Sequence, residues 1–272
     1  MKILVLGSRG RAPCRQCVAS TPAARPPSSR LPGAVAVAGS EDRWLLLNAA
    51  RDIARHAQIG AAAAAGRIAG VVLLDAQPLH AESLAELARG QPLDVYATPV
   101  VFEELSGSLP LLGSPGQGCS VRWHLLPVAG DVRSSEFRVD GLQSLRLVAI
   151  DDGGWAAPYS PHRQEAVVGD SITLFVEDRL AGQRLIYTPS AGGANAAPWM
   201  EGADCLLVGG ETCPLDHCAA AAGGDLASIG ARRTVLVHLN DCDPRLHVGS
   251  DARRAVDAAG IEIAYDGMEI LL

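Results

Sequence analysis

Short apolar runs rich in β-branched residues recur along the whole chain, and this feature constrains its fold most. Twelve such runs lie at residues 2–6, 35–38, 44–47, 70–74, 93–97, 121–125, 145–150, 172–177, 184–187, 205–208, 234–239 and 261–265. Several are continuously apolar rather than alternating, which is typical of strands covered on both faces. The sequence therefore predicts more strand than helix, with two sheets enclosed between helical layers.

Helical signals lie between the predicted strands. In the clearest case Ser250 is suited to cap a helix whose apolar residues repeat at 252, 255, 256 and 259, and Gly260 ends it. Residues 49–58 and 82–89 are shorter predicted helices. No later break resembles a linker, so we expect one domain with a flexible proline-rich loop at residues 13–32.

The composition of the 272-residue chain predicts a globular protein without a nucleic-acid partner. Hydrophobic residues make up 48% of the sequence and charged residues 19%, which excludes intrinsic disorder. The formal net charge is −7, whereas a non-specific nucleic-acid binder presents a strongly basic surface. A small or peptide-derived partner is therefore expected.

The apolar segments predict a cytoplasmic location. The segment at 3–6 is too short for the core of a secretory signal. The stretch at 59–74 is interrupted by Arg67 and falls short of the roughly 20 residues of a membrane span. An odd number of cysteines, seven, without a predicted secretory signal favours free thiols or metal ligands over disulfides.

The common hydrolase and nucleotide-binding motifs do not occur in the sequence. Residues 7–10 follow the first predicted strand but lack the third glycine of a dinucleotide-binding loop, so a strand-end turn is favoured. Neither G-x-S-x-G, nor H-E-x-x-H, nor a phosphate-loop motif is present. The function therefore has to be sought in other residues.

Cys14 and Cys17 have the spacing of half a structural zinc site, because two thiolates separated by two residues reach one tetrahedral ion. They supply two of four ligands, and a pair of exposed thiols is an equal alternative. A second group of soft ligands lies at 213–218 and at Cys242. Ordinary reduced cysteines are the favoured interpretation of that group.

Polar side chains with metal-ligand chemistry follow two of the predicted strands. Asp75, Gln77 and His80 follow one strand, and His238 lies near the end of another. A single histidine of this kind is more often a satisfied core or surface group. Two histidines at strand ends beside acidic loops indicate a site, since side chains from separate elements converge in such loops.

A further loop carries predicted substrate-binding residues. Arg163 is suited to pair with a carboxylate, and His162 is suited to donate a proton. Tyr159 in the same loop and Asn240 are also predicted substrate contacts. A rigid loop bounded by Pro161 and held by its own hydrogen bonds is the alternative.

Taken in order, these segments resemble one family. The sequence reads YSPHR at 159–163, VLVHLN at 235–240 and AYDGM at 264–268, and collinear matches cover most of the chain. On these residues the chain resembles the coenzyme PQQ synthesis protein B family of the metallo-β-lactamase-like superfamily. The resemblance implies an α+β fold, a four-layer αββα metallo-β-lactamase-like sandwich over residues 1–272, with a metal site at one edge of the sheets.

The resemblance also implies a role in making pyrroloquinoline quinone, PQQ, from a ribosomal peptide. Members are described as iron-dependent hydroxylases of the tyrosine ring in a Glu–Tyr-derived precursor, while an older family label proposes transport of PQQ or its precursor. The implied cofactors are iron at the edge of the sheets and zinc at Cys14 and Cys17.

The sequence departs from the family pattern at the implied metal site. The family's D-x-Q-x-D-H motif corresponds to residues 75–80, where Leu79 replaces the ligand aspartate. Gly209 stands where the family has aspartate in a V-D-G-T turn, and Asp225 stands where it has a histidine. The site therefore has fewer donors than a complete family site.

The remaining donors still allow a two-histidine, one-carboxylate iron site. The resemblance predicts His80 and His238 as catalytic and metal-binding residues, with Asp225 and Asp75 as further ligands. One hypothesis is an iron-dependent oxygenase. The losses described above favour a second, a non-catalytic protein that binds a PQQ precursor, and give least support to a third, a metal-dependent hydrolase.

Overall fold

The structure, a computed structural model, describes residues 1–10, 30–89, 91–108, 120–154, 156–189, 196–210, 229–241 and 243–272. Within these ranges the strands form two seven-stranded sheets. The first contains β1 Lys2–Gly7, β2 Ala34–Ala38, β3 Trp44–Leu47, β4 Ile68–Val72, β5 Leu93–Ala97, β6 Val121–Leu125 and β14 Met268–Leu271, in the order β14-β1-β2-β3-β4-β5-β6. The second contains β7 Ser134–Phe137, β8 Leu145–Asp151, β9 Ile172–Asp178, β10 Gln183–Thr188, β11 Cys205–Gly209, β12 Thr234–Val237 and β13 Glu262–Ile263, in the order β13-β12-β11-β10-β9-β8-β7.

Short helices lie between the strands. The α-helices of the described ranges are α1 Ala57–Ala64, α2 Leu84–Leu87, α3 Pro99–Ser108, α4 Ala197–Met200 and α5 Asp251–Ala258. The same ranges contain three turns of 3₁₀-helix, at Ile53–Arg55, Pro78–His80 and Pro244–Leu246.

The two sheets face each other, and the helices cover their outer faces. Side chains alternate along β1, so that Ile3 joins the core between the sheets with Leu174 of β9. Leu4 points to the opposite face and clusters with Ile59 of α1. The outer face of the second sheet clusters with α4 and α5 in the same way. This arrangement confirms the αββα sandwich, and it explains why so many strands are apolar on both faces.

Two links join the sheets at one edge and define where a site can form. Beyond β4, Asp75 forms an isolated antiparallel bridge with Ser171, just before β9. Beyond β1, Arg9 forms a parallel bridge with Leu239, just after β12. The backbone N–H of Leu239 donates to the carbonyl of Ser8 at 3.3 Å. The ends of β4 and β12 are thus held at the same edge.

The prediction of a helix at residues 49–58 is wrong. Residues 49–56 contain only the 3₁₀ turn at Ile53–Arg55, and only the last two residues of the predicted segment belong to a helix, α1, which begins at Ala57. Asn48 and Asp52 have φ angles of 66° and 63°, which a right-handed helix does not accommodate. In addition, the N–H of Ala49 donates to the carbonyl of His80 at 2.6 Å, so the backbone is committed to a loop contact.

Several other elements also differ from the sequence prediction. The strands β7 and β14 and the helices α3 and α4 are not in it, and the predicted helix at 82–89 shortens to α2. The strand predicted at 234–239 ends at Val237, because the next residue, His238, has a φ of 55°. The strand predicted at 261–265 shortens to β13.

The predicted C-terminal helix is confirmed in detail. The hydroxyl of Ser250 accepts a hydrogen bond from the N–H of Arg253 at 3.0 Å and so caps α5. Gly260, just beyond it, has a φ of 69°, a conformation that favours glycine.

Most of the predicted loop at 13–32 lies outside the described residues. Its last residues are held in place: the N–H of Leu31 donates to Asp266 at 2.6 Å, and the guanidinium of Arg30 donates to the carbonyl of Ser8 at 2.7 Å.

Cys205 is the one cysteine among the described residues; it is a free buried thiol, and burial raises its pKa to about 12. No helix in the described part of the chain is long and apolar enough to cross a membrane.

Candidate metal site at the edge of the sheets

His80 is held by a buried carboxylate. The chain leaves β4, forms the bridge at Asp75 and turns through the 3₁₀ segment that ends at His80. Asp75 Oδ1 lies 2.7 Å from His80 Nδ1 and also accepts the N–H of Gln77 at 2.9 Å. Because a carboxylate accepts, Nδ1 carries the hydrogen of this bond, and Nε2 is the nitrogen that Asp75 does not engage. A carboxylate that orients an imidazole in this way is typical of metal-binding histidines.

His238 is held by an aromatic hydroxyl and by a close glycine. Its Nε2 forms a short hydrogen bond with the hydroxyl of Tyr187, and the two rings stack with their centroids 5.8 Å apart. A Cβ atom added to Gly33 would lie 2.0 Å from Cε1 and 2.1 Å from Nδ1 of His238. His238 also adopts a left-handed backbone conformation, which is costly for a residue with a side chain and is found most often at functional sites.

The two histidines meet, as the sequence predicted. Their ring centroids lie 5.5 Å apart with an interplanar angle of 70°. Both side chains are buried. We call Asp75, His80 and His238 the edge site. The separation of the rings is compatible with one ion between them, because each nitrogen–metal bond is about 2.0–2.1 Å long.

Asp152 is a further carboxylate at this edge that the sequence analysis did not predict. It is buried, and its Oδ2 accepts a hydrogen bond at 3.1 Å from the hydroxyl of Ser171, the residue that pairs with Asp75. Its Oδ1 accepts the N–H of Gly154 at 2.8 Å. The signal in the sequence is an Asp-Asp pair at the end of the apolar run 145–150.

Buried polar atoms near the edge site fit a polar ligand. Among the described residues, neither the side-chain Nε2 of Gln77 nor the Oδ1 of Asn240 has a hydrogen-bond partner. Gln77 precedes the turn that carries His80, and Asn240 lies two residues after His238. A buried polar atom without a partner costs about 1–3 kcal/mol. A bound ion with its waters, or a substrate, would recover part of this cost, so the residues present fit such a group.

The structure also describes Leu79 and Gly209, the two positions at which the family has carboxylates. Gly209 pairs with Val237, the residue before His238. Leu79 belongs to the turn that ends at His80 and is partly exposed. Both positions therefore lie next to the edge site, Leu79 in sequence and Gly209 through its pairing with the residue before His238. Asp225, Cys14 and Cys17 lie outside the described residues.

The predicted substrate-binding loop is partly tied to the edge site. The hydroxyl of Tyr159 donates to the carbonyl of Ala76 at 2.6 Å, and burial raises the pKa of this phenol to about 12, so it stays a donor at neutral pH. Arg163 is exposed. Asn240 lies in the turn after His238, where its carbonyl accepts the N–H of Asp243 at 2.9 Å.

His162 belongs to a different group of side chains. Its Nε2 lies 2.8 Å from Asp170 Oδ1 and 3.5 Å from Glu104 Oε1. The hydrogen bond with Asp170 raises the pKa of His162. Within the described ranges this is the one group of three potential ligand atoms from His, Cys, Asp or Glu that all lie within 4.8 Å of one another. Glu104 was not predicted, because it lies far from the other two in sequence.

Comparison with known proteins agrees with the fold and the family resemblance. Residues 43–239 match the family model of the beta-lactamase superfamily domain. The crystal structure of Zn²⁺-bound PqqB from Methylobacterium extorquens superposes with a TM-score of 0.74 at 24% identity and full coverage of both chains. The metallo-beta-lactamase fold protein YhfI from Bacillus subtilis superposes with a TM-score of 0.68 at 15% identity, with 99% of each chain covered.

Curated relatives share more of the sequence. Coenzyme PQQ synthesis protein B from Nitrosococcus oceani is 34% identical over 274 aligned residues, which cover 90% of this chain and 89% of the relative. The protein of the same name from Pseudomonas aeruginosa is 35% identical over the whole of both chains. Identity at this level over the full length shows that the chain belongs to the coenzyme PQQ synthesis protein B family, within the beta-lactamase superfamily.

Proposed function

We propose that this chain acts in PQQ biosynthesis, as an iron-dependent hydroxylase of the tyrosine ring in a Glu–Tyr-derived precursor. The observation that carries the proposal is the approach of His80 and His238 to 5.5 Å, with Asp75 orienting His80. Family membership supports the biosynthetic role. The relatives are named for PQQ synthesis, and none of these names indicates transport.

The residues of the chain have separate tasks in this proposal. Ferrous iron held by two histidines and one carboxylate keeps open positions for oxygen and substrate. His80 would bind through Nε2, because Asp75 occupies its Nδ1. Tyr187 holds the ring of His238. Asp225 and Asp75 stay the proposed carboxylate ligands, and zinc at Cys14 and Cys17 stays a separate proposal.

The predicted binding loop would place the substrate. Tyr159 fixes this loop to the backbone beside Asp75 through its bond to Ala76. Exposed Arg163 is suited to bind a substrate carboxylate, as a guanidinium offers two parallel N–H groups to it. His162 stays a predicted substrate contact in the same loop, and it is suited to donate a proton through Nδ1, because Nε2 is the nitrogen that Asp170 and Glu104 engage.

The test is a direct assay of oxygen insertion. We expect the iron-loaded protein, given oxygen and a crosslinked Glu–Tyr peptide, to add one oxygen atom to the tyrosine ring, as measured by mass spectrometry. Protein kept free of iron is the control. If the loaded protein binds the peptide but adds no oxygen, the hydroxylase proposal is wrong.

Non-catalytic binding of the same precursor is a second candidate function. Leu79 and Gly209 favour it, because both occupy positions beside the histidines and neither carries a donor side chain. Calorimetric binding of the peptide by protein without metal, with an affinity unchanged by iron, would support this function over the first.

Restoring the missing carboxylates is expected to strengthen iron binding. The double substitution Leu79→Asp with Gly209→Asp adds two anionic donors beside His80 and His238, so we expect iron affinity to rise by about tenfold or more. The control, Leu180→Asp with Leu271→Asp, adds the same charge at side chains that are 75% and 72% exposed. Anaerobic titration calorimetry compares the two. An equal rise in both variants would show a general charge effect instead of ligation.

A further inference from the structure

Three side chains from different parts of the chain converge beside the predicted binding loop. Glu104 lies on α3, His162 lies in the loop, and Asp170 lies just before β9. His162 Nε2 is 2.8 Å from Asp170 Oδ1 and 3.5 Å from Glu104 Oε1. One ligand atom from each residue therefore faces a common point.

The two carboxylates are buried with little compensating charge. The side chain of Asp170 is fully buried, that of Glu104 is 7% exposed and that of His162 is 29% exposed. Asp170 Oδ2 accepts the N–H of Val167 at 2.7 Å, whereas Glu104 Oε1 has no hydrogen-bond partner among the described residues. Burial also raises the pKa of the Glu104 carboxyl. One imidazole is thus the only cationic group within 4 Å of these carboxylates in the described part of the chain.

We propose that Glu104, His162 and Asp170 bind a divalent metal ion, separate from the ion assigned to the edge site. One imidazole and two carboxylates form a donor set that suits Zn²⁺, and the partial exposure of His162 leaves a fourth position for water. With a neutral imidazole, the two carboxylates balance the charge of the ion. The proton that His162 shares with Asp170 leaves to solvent when the ion binds.

Two of the three distances between ligand atoms need only a small adjustment, and the third, between Glu104 and Asp170, is below 4.8 Å. Ligand atoms about 2.0–2.1 Å from a tetrahedral ion lie roughly 3.3–3.5 Å from one another. The distance from His162 to Glu104, 3.5 Å, already has this value. The distance from His162 to Asp170, 2.8 Å, has to increase by about half an ångström. His162 lies in a loop outside the strands and helices, where this shift is accommodated most easily.

The ion would brace the loop that contacts the edge site. Tyr159 lies three residues before His162, and its hydroxyl donates to the carbonyl next to Asp75. An ion held by α3 and by Asp170 therefore fixes this loop from its other side. The expected role is structural, and it does not depend on the reaction proposed for the edge site.

The test is zinc titration of a variant whose other sites are removed. The variant carries His80→Ala and His238→Ala, which remove the edge site. It is prepared metal-free and without a purification tag, and its accessible thiols are alkylated so that cysteines do not bind zinc. We expect one equivalent of zinc to bind and to raise Tm. Adding Glu104→Gln should weaken this binding at least about tenfold, since it replaces a ligand while keeping the shape of the side chain. The matched control is Glu103→Gln, which changes the exposed neighbouring residue on α3.

Two results would overturn the proposal. One is the absence of zinc binding in the alkylated double-histidine variant. The other is equal zinc affinity with Glu104→Gln and with Glu103→Gln, provided that both variants unfold cooperatively without metal. The electronic spectrum of the cobalt-loaded variant gives an independent check, because histidine and carboxylate ligands produce no thiolate-to-metal charge-transfer band.

Discussion

Replacing either His80 or His238 with alanine is expected to abolish iron binding at the edge site and hydroxylation with it. Each substitution removes one of two imidazoles whose centroids lie 5.5 Å apart, and neither Leu79 nor Gly209 supplies a donor that could replace it. We expect iron affinity to fall by more than about 100-fold, beyond the 10–100-fold typical of losing a residue that only orients a ligand. Anaerobic titration calorimetry and the oxygen-insertion assay measure the two losses.

Two further variants make this prediction specific. Asp75→Asn should have a smaller effect, about 10–100-fold in affinity, because asparagine keeps an oxygen that can accept from His80 Nδ1 or bind the ion but loses the negative charge. His124→Ala is the control, since His124 is exposed on β6 and pairs with Asp94. If wild type, His80→Ala and His238→Ala bind iron equally, the metal lies elsewhere, and Glu104, His162 and Asp170 become the first residues to test.

Gly33→Ala is expected to disrupt the edge site without altering any proposed ligand. The new methyl group would fall about 2 Å from two atoms of the His238 ring, far inside van der Waals contact. The backbone at Gly33 cannot shift easily away from the ring, because the next residue, Ala34, pairs with Gly7 in the sheet. The ring must move instead, so we expect a loss of iron affinity close to that of His238→Ala, with a destabilisation of about 1–3 kcal/mol from overpacking.

Chemical denaturation and iron titration test this prediction together. Gly107→Ala is the matched control, as a methyl group there meets no atom within 4 Å. Because Gly107 lies in α3 and alanine favours a helix more than glycine does, Gly107→Ala should leave iron affinity unchanged and stabilise the protein by about 0.5–1 kcal/mol. Normal iron affinity in Gly33→Ala would mean that the position of the His238 ring does not matter for binding.

The layers of the fold were predictable because a strand buried on both faces appears in the sequence as a continuous apolar run. The runs at 44–47 and 93–97 coincide with β3 and β5, since a strand inside a sandwich is apolar at most of its positions; the exception in β5 is the partly buried Asp94. β7 was missed because its residues are exposed or partly exposed and mostly polar. α3 was missed although its start has a recognisable signal: Pro99 opens it, and the hydroxyl of Thr98 accepts the N–H of Val101 at 3.2 Å.

The candidate site was predictable only in part. His80 and His238 were named because both follow apolar strands, and their approach is confirmed. Asp152 was missed, because its relation to Asp75 runs through Ser171 on another strand. Glu104 was missed because nothing in its own helix distinguishes it from Glu103. Their burial differs only when α3 packs against the loop that carries His162.

By itself the sequence determined that this chain forms two buried sheets, that Ser250 starts the last long helix, and that two histidines stand at strand ends. These properties depend on residues near one another in the chain, where periodicity and capping act. The tertiary structure alone decided that Asp75 pairs with Ser171, that His238 turns left-handed against Gly33, and that Glu104 meets His162. Each of these contacts joins segments distant in sequence, so it depends on how the sheets and helices pack, which no local pattern specifies.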